Sequence, residues 1–391
     1  MNFAPSKHLQ QLKKGIFHEL AEAKRRVEQS GTPVIDLSVG SPDLPPPDFA
    51  REILSSLACD GRHYGYTLGA IPGFNDAVAR FYKKRYGVPL DPETEILQLI
   101  GSQDGLAHLG TAILNPKDVV LVPDPGYPIY EAGVRMAGGH PLGMPLTEEN
   151  GFLPDLTAVP EDIARQARML ILNYPSNPVA ATADRSFYEE VIRFARKYEI
   201  LVVQDFTYSE LVFDGKTATS ILSVPGAKDV AIEFNSFSKT FNLAGCRIGY
   251  VTGNAQVLNI LSDMMSHTHY GVFYPIQQAA IACLEQGESF IQQQVKRYES
   301  RRDTLVEALS QGGWNLQKPP ATMYVWANIP KGWASIDFAF RLLEKTGVVV
   351  TPGSAFGLQG EGYVRMTLTQ AEGDLQKAAE RMSHFVKQGV R

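Results

Sequence analysis

Cysteine is scarce in this sequence, since the 391-residue chain holds only Cys59, Cys246 and Cys283. An odd number of widely spaced cysteines encodes neither a disulfide framework nor a CxxC metal site. Residues 1 to 14 also lack the apolar core of a secretion signal. We therefore expect a protein of a reducing compartment, and we predict a cytoplasmic location.

Blocks of one charge and long apolar spans are missing too. The 37 Lys and Arg residues nearly balance the 42 Asp and Glu residues, and no basic run is dense enough for nucleic acid or an anionic membrane. Residues 264 to 284 carry no Asp, Glu, Lys or Arg, but Gly, Pro, His and Gln interrupt them too heavily for a bilayer span. His267 and His269 have no third ligand type nearby, so we expect no metal site. Small molecules are the expected partners, with no nucleic acid and no membrane.

Short apolar runs alternate with longer helical patterns along most of the chain. The runs that predict strands lie at 34–39, 96–100, 119–122, 169–172, 200–203, 230–234 and 248–251. Between the fourth and fifth runs, apolar residues recur at the spacing of one helix face, at Phe187, Val191, Phe194 and Tyr198. Strand, helix and strand in succession imply right-handed crossovers and a mainly parallel sheet flanked by helices. The predicted fold class is therefore α/β.

The pattern changes after about residue 275. Long helical stretches come first, including the charged segment 292–302, and strand-like segments follow at 324–329, 348–350 and 363–369. We predict a second, smaller α+β domain in this part of the chain.

One lysine stands among groups suited to holding a phosphate. Ser236, Ser238 and Lys239 follow the apolar run 230–234, and Arg247 comes eight positions after the lysine. A lysine that does covalent work must present a neutral amine, so it belongs where burial or cationic neighbours lower its pKa. Taken alone, such a lysine is more often a solvated surface residue, and the interpretation depends on its neighbours.

An acid and a phenol follow the apolar run 200–203. Asp205 comes two residues after the run and Tyr208 three residues later. Alone, Asp205 could be a helix N-cap and Tyr208 a core residue. With Lys239 and the serines and arginine around it, they form the set that a pyridoxal phosphate site requires. That set is an amine for the aldehyde, a carboxylate for the ring nitrogen and donors for the phosphate. Ligands of such sheets bind at the carboxyl ends of strands, where these residues fall.

The segments from residue 173 to residue 247 resemble the aminotransferase class I/II family of pyridoxal phosphate enzymes. The resemblance implies the fold type I architecture, with a large cofactor-binding domain at residues 47–275 and a small α+β domain built from residues 1–46 and 276–391. It also implies that Lys239 forms the Schiff base with the cofactor and moves a proton at the substrate Cα. Asp205 would keep the ring nitrogen protonated, and Tyr208 would donate to the phenolic oxygen.

The resemblance implies further cofactor contacts. Ser102 and Gln103 open a helix after a strand, where backbone N–H groups form an anion site, although a plain capped turn has the same pattern. The family places the cofactor phosphate there, with Arg247 and the two serines Ser236 and Ser238 completing the site. Two residues would contact the ring and its phenolic oxygen, Tyr127 by stacking and Asn177 by a hydrogen bond.

Substrate contacts are implied at three positions. Arg365 matches the arginine that pairs with the substrate α-carboxylate, and Gly40 matches a glycine whose backbone approaches the same group. Asn177 is the third, and its turn has the sequence NPVA where the family has NPTG. Outside this resemblance, Arg365 would be interpreted as a solvent-facing residue of an alternating strand.

Tyr64 lies five residues before Gly69, the spacing of the family tyrosine that reaches the cofactor phosphate of the neighbouring subunit. Tyr66 is an alternative, because the helix after Gly69 begins one residue later than in the usual pattern. Either assignment implies a homodimer with shared active sites.

These observations predict a pyridoxal phosphate-dependent aminotransferase that moves an amino group from an L-amino acid to a 2-oxo acid by a ping-pong mechanism. Residues 269–273 and 321–326 look similar to alanine and LL-diaminopimelate aminotransferases. No arginine lies between Arg247 and Arg297, where aspartate-specific relatives supply a second carboxylate clamp. The alternatives are a C–S β-lyase on the same fold and a non-catalytic sensor module.

Overall fold

The computed structural model describes residues 3–10, 12 and 16–387. The residues outside this description are 1–2, 11, 13–15 and 388–391. They include both ends of the predicted small domain and part of the segment examined for a secretion signal. The α-helices of the described chain are α1 (Lys7–Gln10), α2 (Ile16–Gln29), α3 (Asp48–Ala58), α4 (Phe74–Tyr86), α5 (Ser102–Ile113), α6 (Ile129–Met136), α7 (Glu161–Gln166), α8 (Arg185–Tyr198), α9 (Phe237–Thr240), α10 (Ala255–Ser266), α11 (Tyr274–Gln286), α12 (Glu288–Gln311), α13 (Ser335–Thr346) and α14 (Glu372–Lys387). Its β-strands are β1 (Ile35–Asp36), β2 (Ile96–Leu99), β3 (Val119–Asp124), β4 (His140–Pro145), β5 (Ala167–Asn173), β6 (Leu201–Asp205), β7 (Ala231–Ser236), β8 (Gly249–Gly253), β9 (Tyr324–Asn328), β10 (Val348–Val349), β11 (Thr351–Pro352) and β12 (Tyr363–Thr367).

The largest sheet has seven strands in the order β2-β8-β7-β6-β5-β3-β4. The five strands β7, β6, β5, β3 and β4 are parallel to one another, and β8 runs antiparallel to both β7 and β2. Successive residues of β5 enter different hydrophobic cores, Leu170 on one face and Ile171 on the other. Both faces are therefore covered, which explains why the central strands are continuous apolar runs. The predicted α/β fold with a mainly parallel sheet is confirmed.

Two strands differ from the prediction. β4 has the sequence HPLGMP, which contains no apolar run. Within the described chain it pairs with β3 alone, at the sheet edge, where proline is tolerated. The predicted strand at 34–39 shortens to the two residues of β1. Asp36 Oδ1 accepts a hydrogen bond from the Ser38 N–H at 2.8 Å, and this turn ends the strand.

A second core lies beneath the smaller sheets. β9, β12 and β11 form an antiparallel sheet, and β1 pairs in parallel with β10. Leu37 shares this core with Leu305 of α12 and Phe338 of α13, so chain segments from before and after the large sheet pack together. The domain limits at residues 47 and 275 stay a prediction, and α11 crosses the second limit while it packs against α3 and α4.

Among the described helices, none is long and apolar enough to cross a membrane. The cysteines Cys59, Cys246 and Cys283 are all free thiols.

Glu233 of β7 is a fully buried carboxyl group in the core. It accepts hydrogen bonds from Tyr82 Oη at 3.0 Å, Ser220 Oγ at 2.7 Å and the Ile221 N–H at 3.0 Å. Burial nevertheless raises its pKa from 4.5 to about 7, against the opposing effect of these hydrogen bonds. The folded protein therefore keeps this proton to a higher pH than the unfolded chain does.

We expect Glu233 to make the fold less stable as pH rises from 4.5 to about 7. In this window the folded state binds more protons than the unfolded state, so the free energy of unfolding falls by about 3 kcal/mol in total. The side chain in Glu233→Gln cannot ionise, so this variant should lose this dependence of stability on pH. Urea titrations at about pH 5 and pH 8 measure the free energy of unfolding of both proteins. Glu149→Gln, at an exposed position, is the control. An equal stability difference between Glu233→Gln and wild type at both pH values would contradict the assignment.

Candidate active site

Polar residues meet at one edge of the large sheet. Asn173, Asp205 and Ser236 end the neighbouring strands β5, β6 and β7, and α5 begins at Ser102 directly beyond β2. The pairing of Gly249 with both Leu99 and Ser236 brings the ends of β2 and β7 to the same edge. This is the edge at which open α/β sheets bind ligands.

A cavity of about 370 Å³ opens at this edge. The residues predicted to act in the chain's own site all line it, namely Gly40, Ser102, Gln103, Tyr127, Asn177, Asp205, Tyr208, Ser236, Ser238, Lys239, Arg247 and Arg365. Tyr64 does not line this cavity. Its side chain is 65 % exposed, and its hydroxyl donates to the Ala58 carbonyl at 2.8 Å. Tyr66 is 83 % exposed. The structure thus brings together all the predicted site residues except those assigned to the partner subunit.

Lys239 lies in α9, a single turn that follows β7 directly. Its Nζ donates a hydrogen bond to the Gly40 carbonyl at 2.6 Å. Burial lowers its pKa to about 8, the positive charges of Arg365 and Arg247 act in the same direction, and Asp205 opposes them. A useful share of this amine is therefore neutral near physiological pH, as a nucleophilic lysine requires.

Asp205 is 5 % exposed, and both of its carboxylate oxygens have donors. Oδ1 accepts from the Thr207 N–H at 3.1 Å and from Thr207 Oγ1 at 2.6 Å, and Oδ2 accepts from Tyr130 Oη at 2.7 Å. Burial raises its pKa, while these hydrogen bonds and the charge of Lys239 lower it. No α-helix begins at Asp205, since the next one in the described chain is α9, so the residue does not serve as a helix N-cap.

The start of α5 and the side chain of Arg247 lie together in the wall of the cavity. Gly101 caps α5 with φ of 79°, and a β-carbon there would collide with Arg247 Nη2. A side chain at Gly249 would likewise lie 3.0 Å from the Ser102 nitrogen, so only glycine lets β8 pass this close. The free backbone N–H groups of the first helical turn and the guanidinium suit a phosphate. Ser236 and Ser238 line the same cavity.

Arg365 of β12 is 4 % exposed, and its guanidinium is fixed on several sides. Nη1 donates to Asn177 Oδ1 at 2.8 Å, and Nη2 donates to the Ser38 carbonyl at 2.7 Å. The guanidinium carbon lies 4.3 Å from the ring centroid of Tyr324 and 4.7 Å from that of Phe356. Nη1 and Nη2 each keep a second N–H group beyond these bonds, so this buried cation retains the capacity to bind an anion.

Comparison with known proteins decides the family. The aminotransferase class I and II model matches residues 32–382. The chain belongs to this family. LL-diaminopimelate aminotransferases of Moorella thermoacetica and Syntrophobacter fumaroxidans are each 44% identical to it, over 94% of this chain and 93% of the relative in the first case and 98% and 99% in the second.

Solved structures agree. Substrate-bound BacF from Bacillus subtilis is 36% identical, with a TM-score of 0.94 over 98% of both chains. A probable N-succinyldiaminopimelate aminotransferase from Thermus thermophilus is 38% identical, with a TM-score of 0.89 over 94% of this chain and 99% of its own. The predicted enzyme class is confirmed, and the chain is a pyridoxal phosphate-dependent aminotransferase.

The aminotransferase cavity fits pyridoxal 5′-phosphate. Its lining includes a carboxylate at Asp205 that can pair with a ring nitrogen, an amine at Lys239 that can react with an aldehyde, and donors at Ser102 and Arg247 that can bind a phosphate. Among the residues that the structure describes, no cluster of His, Cys, Asp and Glu could hold a metal ion.

Some further lining residues had no predicted role, and three of them contact predicted ones. Thr207 and Tyr130 hold Asp205, and Tyr324 contacts Tyr208 and Arg365. Thr207 follows Asp205 by two residues, a spacing at which an aspartate side chain accepts from the backbone, and this local signal was available in the sequence. Tyr130 lies one turn after Tyr127, a predicted site residue, so its position near the site was also a local signal. Tyr324 belongs to the segment 321–326 noted above, but its contacts with Tyr208 and Arg365 come only from packing between distant segments.

In the protein free of cofactor, we expect the Lys239 amine to titrate near pH 8, instead of the ordinary 10.5. Competitive acylation over a range of pH, followed by mass spectrometry of the Lys239 peptide, measures this midpoint against N-acetyl-lysine in the same solution. Arg365→Gln should raise the midpoint because it removes a neighbouring positive charge. A midpoint equal to that of the free reference amine would show that the site does not perturb Lys239.

Proposed function

We propose that this enzyme transfers the amino group of LL-diaminopimelate or a similar L-amino acid to a 2-oxo acid by a ping-pong mechanism. The observation that supports the reaction best is the convergence of a titratable lysine, a buried carboxylate and a buried arginine in one cavity, at Lys239, Asp205 and Arg365. We place the enzyme in the cytoplasm, where its three free cysteines would stay reduced.

Pyridoxal phosphate supplies an electron sink that allows the bond between the substrate Cα and its hydrogen to break. Lys239 would hold the cofactor covalently through Nζ, and after the substrate amine replaces it, the same atom would carry the proton to and from Cα. Asp205 would keep the proton on the ring nitrogen, supported by Thr207 and Tyr130. Tyr208 would donate to the phenolic oxygen.

The remaining residues would bind and orient. The amides of Ser102 and Gln103, with Arg247, Ser236 and Ser238, would hold the phosphate. Tyr127, whose hydroxyl donates to Gln103 Oε1 at 2.9 Å, would stack on the ring.

Asn177 would bond the phenolic oxygen and contact the substrate. Its Oδ1 accepts from Arg365, so the two side chains are already fixed relative to each other. Arg365 would pair with the α-carboxylate shared by all amino and oxo acids, next to the backbone of Gly40.

The charge of the cavity bears on the choice of substrate. Its lysine and arginine residues are Lys239, Arg247 and Arg365, and the proposed roles use all of them. Among the residues lining the described cavity, no cation then remains for a second, unneutralised carboxylate such as that of aspartate. The far end of LL-diaminopimelate carries an ammonium as well as a carboxylate and is neutral overall, so neutral groups such as Gln103 and Tyr127 would suffice. The names of the relatives that are 44% identical favour the same substrate.

Alanine formation from LL-diaminopimelate and pyruvate, an acceptor with a single carboxylate, tests the proposal, with aspartate as the comparison donor. We expect turnover with LL-diaminopimelate to exceed that with aspartate, and Lys239→Ala to lower it by more than roughly a thousandfold through loss of the proton carrier. Lys216→Ala, at an exposed position, should leave it unchanged. Release of pyruvate and ammonia from cystathionine, with no alanine formed from either donor and pyruvate, would instead indicate the β-lyase.

We propose further that the enzyme works as a homodimer in which Tyr64 of one chain reaches the phosphate site of the other. Tyr64, Tyr66, Leu68 and Tyr270 are large side chains between 57 % and 83 % exposed, and we call them the exposed patch. The Tyr64 ring lies 5.1 Å from the ring of Phe273, three residues after Tyr270. The Tyr66 and Tyr270 rings lie 5.2 Å apart, and the Leu68 N–H donates to the Tyr270 carbonyl. An exposed patch of this kind marks a surface that binds another molecule.

Mixing inactive Lys239→Ala chains with impaired Tyr64→Ala chains should restore activity. In a mixed dimer one site collects both defects and the other collects neither, so random exchange should recover about a quarter of wild-type activity. Activity is followed as subunits exchange, and Tyr198→Ala, at a tyrosine outside this patch, serves as the control partner for Lys239→Ala. If exchange is demonstrated by native mass spectrometry and no activity returns, Tyr66→Ala should replace Tyr64→Ala in the same test.

A further inference from the structure

Tyr324 contacts three groups of the site at once. Its hydroxyl lies 2.8 Å from the Tyr208 hydroxyl, and the two rings meet edge-on at 72°. The Arg365 guanidinium lies over its ring at 4.3 Å. The hydroxyl also fills the space beside Gly40, where a β-carbon would collide with it. Tyr324 is 2 % exposed, so none of these contacts is made by a mobile surface side chain.

The two phenols share one hydrogen bond and have one proton each to donate. Among the residues that the structure describes, neither hydroxyl has a further hydrogen-bond partner. Burial raises the pKa of Tyr208 well above its ordinary value, so this phenol stays protonated and remains a donor. If Tyr208 directs its only proton at the cofactor, its oxygen is free to accept, and the Tyr324 hydroxyl is the donor in contact with it.

We propose that Tyr324 is a positioning residue that donates its hydrogen bond to Tyr208 and so directs the Tyr208 proton to the phenolic oxygen of the bound cofactor. The assignment of Tyr208 rests on the proposed function. Through Arg365, the same ring also supports the residue that would hold the substrate carboxylate.

The donation has a definite electrostatic consequence. A hydroxyl that accepts a hydrogen bond becomes a stronger donor through its own proton. A stronger donor at the phenolic oxygen favours the anionic form of that oxygen, which lowers the pH at which the bound cofactor changes its protonation state. Removing the Tyr324 hydroxyl should therefore move this transition to higher pH.

Titrating the visible absorbance of the holoenzyme tests the inference without requiring turnover. In Tyr324→Phe we expect the midpoint to rise on the order of half a pH unit, because cooperative strengthening of a hydrogen bond is a fraction of its strength. An unchanged or lowered midpoint would overturn the proposal. Tyr363→Phe is the matched control, since Tyr363 lies on β12 of the same sheet and stacks on Trp326 at 5.1 Å, away from Tyr208.

A double-mutant cycle separates action through Tyr208 from a general effect on the site. Tyr208→Phe should raise the midpoint further than Tyr324→Phe does. In the Tyr208→Phe background, Tyr324→Phe should add no further shift, and a shift that persists there would show that Tyr324 does not act through Tyr208.

Kinetics provide a second readout. Tyr324→Phe keeps the ring beneath Arg365, so the KM for the amino donor should stay within about twofold, whereas Tyr324→Leu removes the cation–π contact and should raise it. Equal KM values in the two variants would contradict the role of the ring. Failure of the proposed function would show separately, as a wild-type enzyme that binds the cofactor and transfers no amino group.

Discussion

The arrangement of the site depends on holding charged groups out of water within one cavity. Asp205 is 5 % exposed and Arg365 is 4 % exposed, and a buried charge is unfavourable unless hydrogen bonds and opposite charges compensate it. Neutral neighbours provide most of that compensation, Thr207 and Tyr130 for the carboxylate and Asn177 for the guanidinium. The positive charges of the cavity, including those of Arg365 and Arg247, are therefore not neutralised by carboxylates paired with them. Their field and the burial of the site together lower the pKa of Lys239.

The segment 38–43 links this cavity to the smaller sheets. The Ser38 carbonyl accepts from Arg365, the Val39 carbonyl from Thr369 Oγ1 at 3.2 Å, and the Gly40 carbonyl from Lys239. At its end, Asp43 accepts two hydrogen bonds from Arg301 of α12, at 2.8 and 2.7 Å. Because a bidentate pair fixes both position and orientation, α12 anchors the segment that contacts Lys239 and Arg365.

Much of the fold could be predicted because a parallel sheet covered on both faces requires continuous apolar strands, and β5, β6 and β7 are such runs. β4 could not be predicted, since an edge strand bonded to one neighbour tolerates the prolines and glycine of its sequence. Once these strands are predicted, the residues at their carboxyl ends are predicted to face the site, because open α/β sheets bind ligands at that edge. Tyr324 could not, because it lies 116 residues from Tyr208 and meets it only through packing of the smaller sheet on the larger one.

The side chain of Gln277 in α11 holds in place the loops that carry the exposed patch. The side chain of Gln277 is fully buried, and its oxygen accepts from the Ile71 N–H and from Gln98 Nε2, at 2.8 and 2.7 Å. Its nitrogen donates to the carbonyls of Gly69 and Val272, at 3.1 and 2.7 Å, so the four hydrogen bonds use the full capacity of the amide.

These bonds tie the loop that carries Tyr64 and Tyr66 to the loop that carries Tyr270. Moving either loop would leave a buried polar group unpaired, at a cost of about 1 to 3 kcal/mol. Because the backbone of both loops is already constrained, it loses little further conformational freedom when the patch is covered. The patch is therefore suited to one surface of fixed shape, which in the proposed dimer is the second copy of the chain.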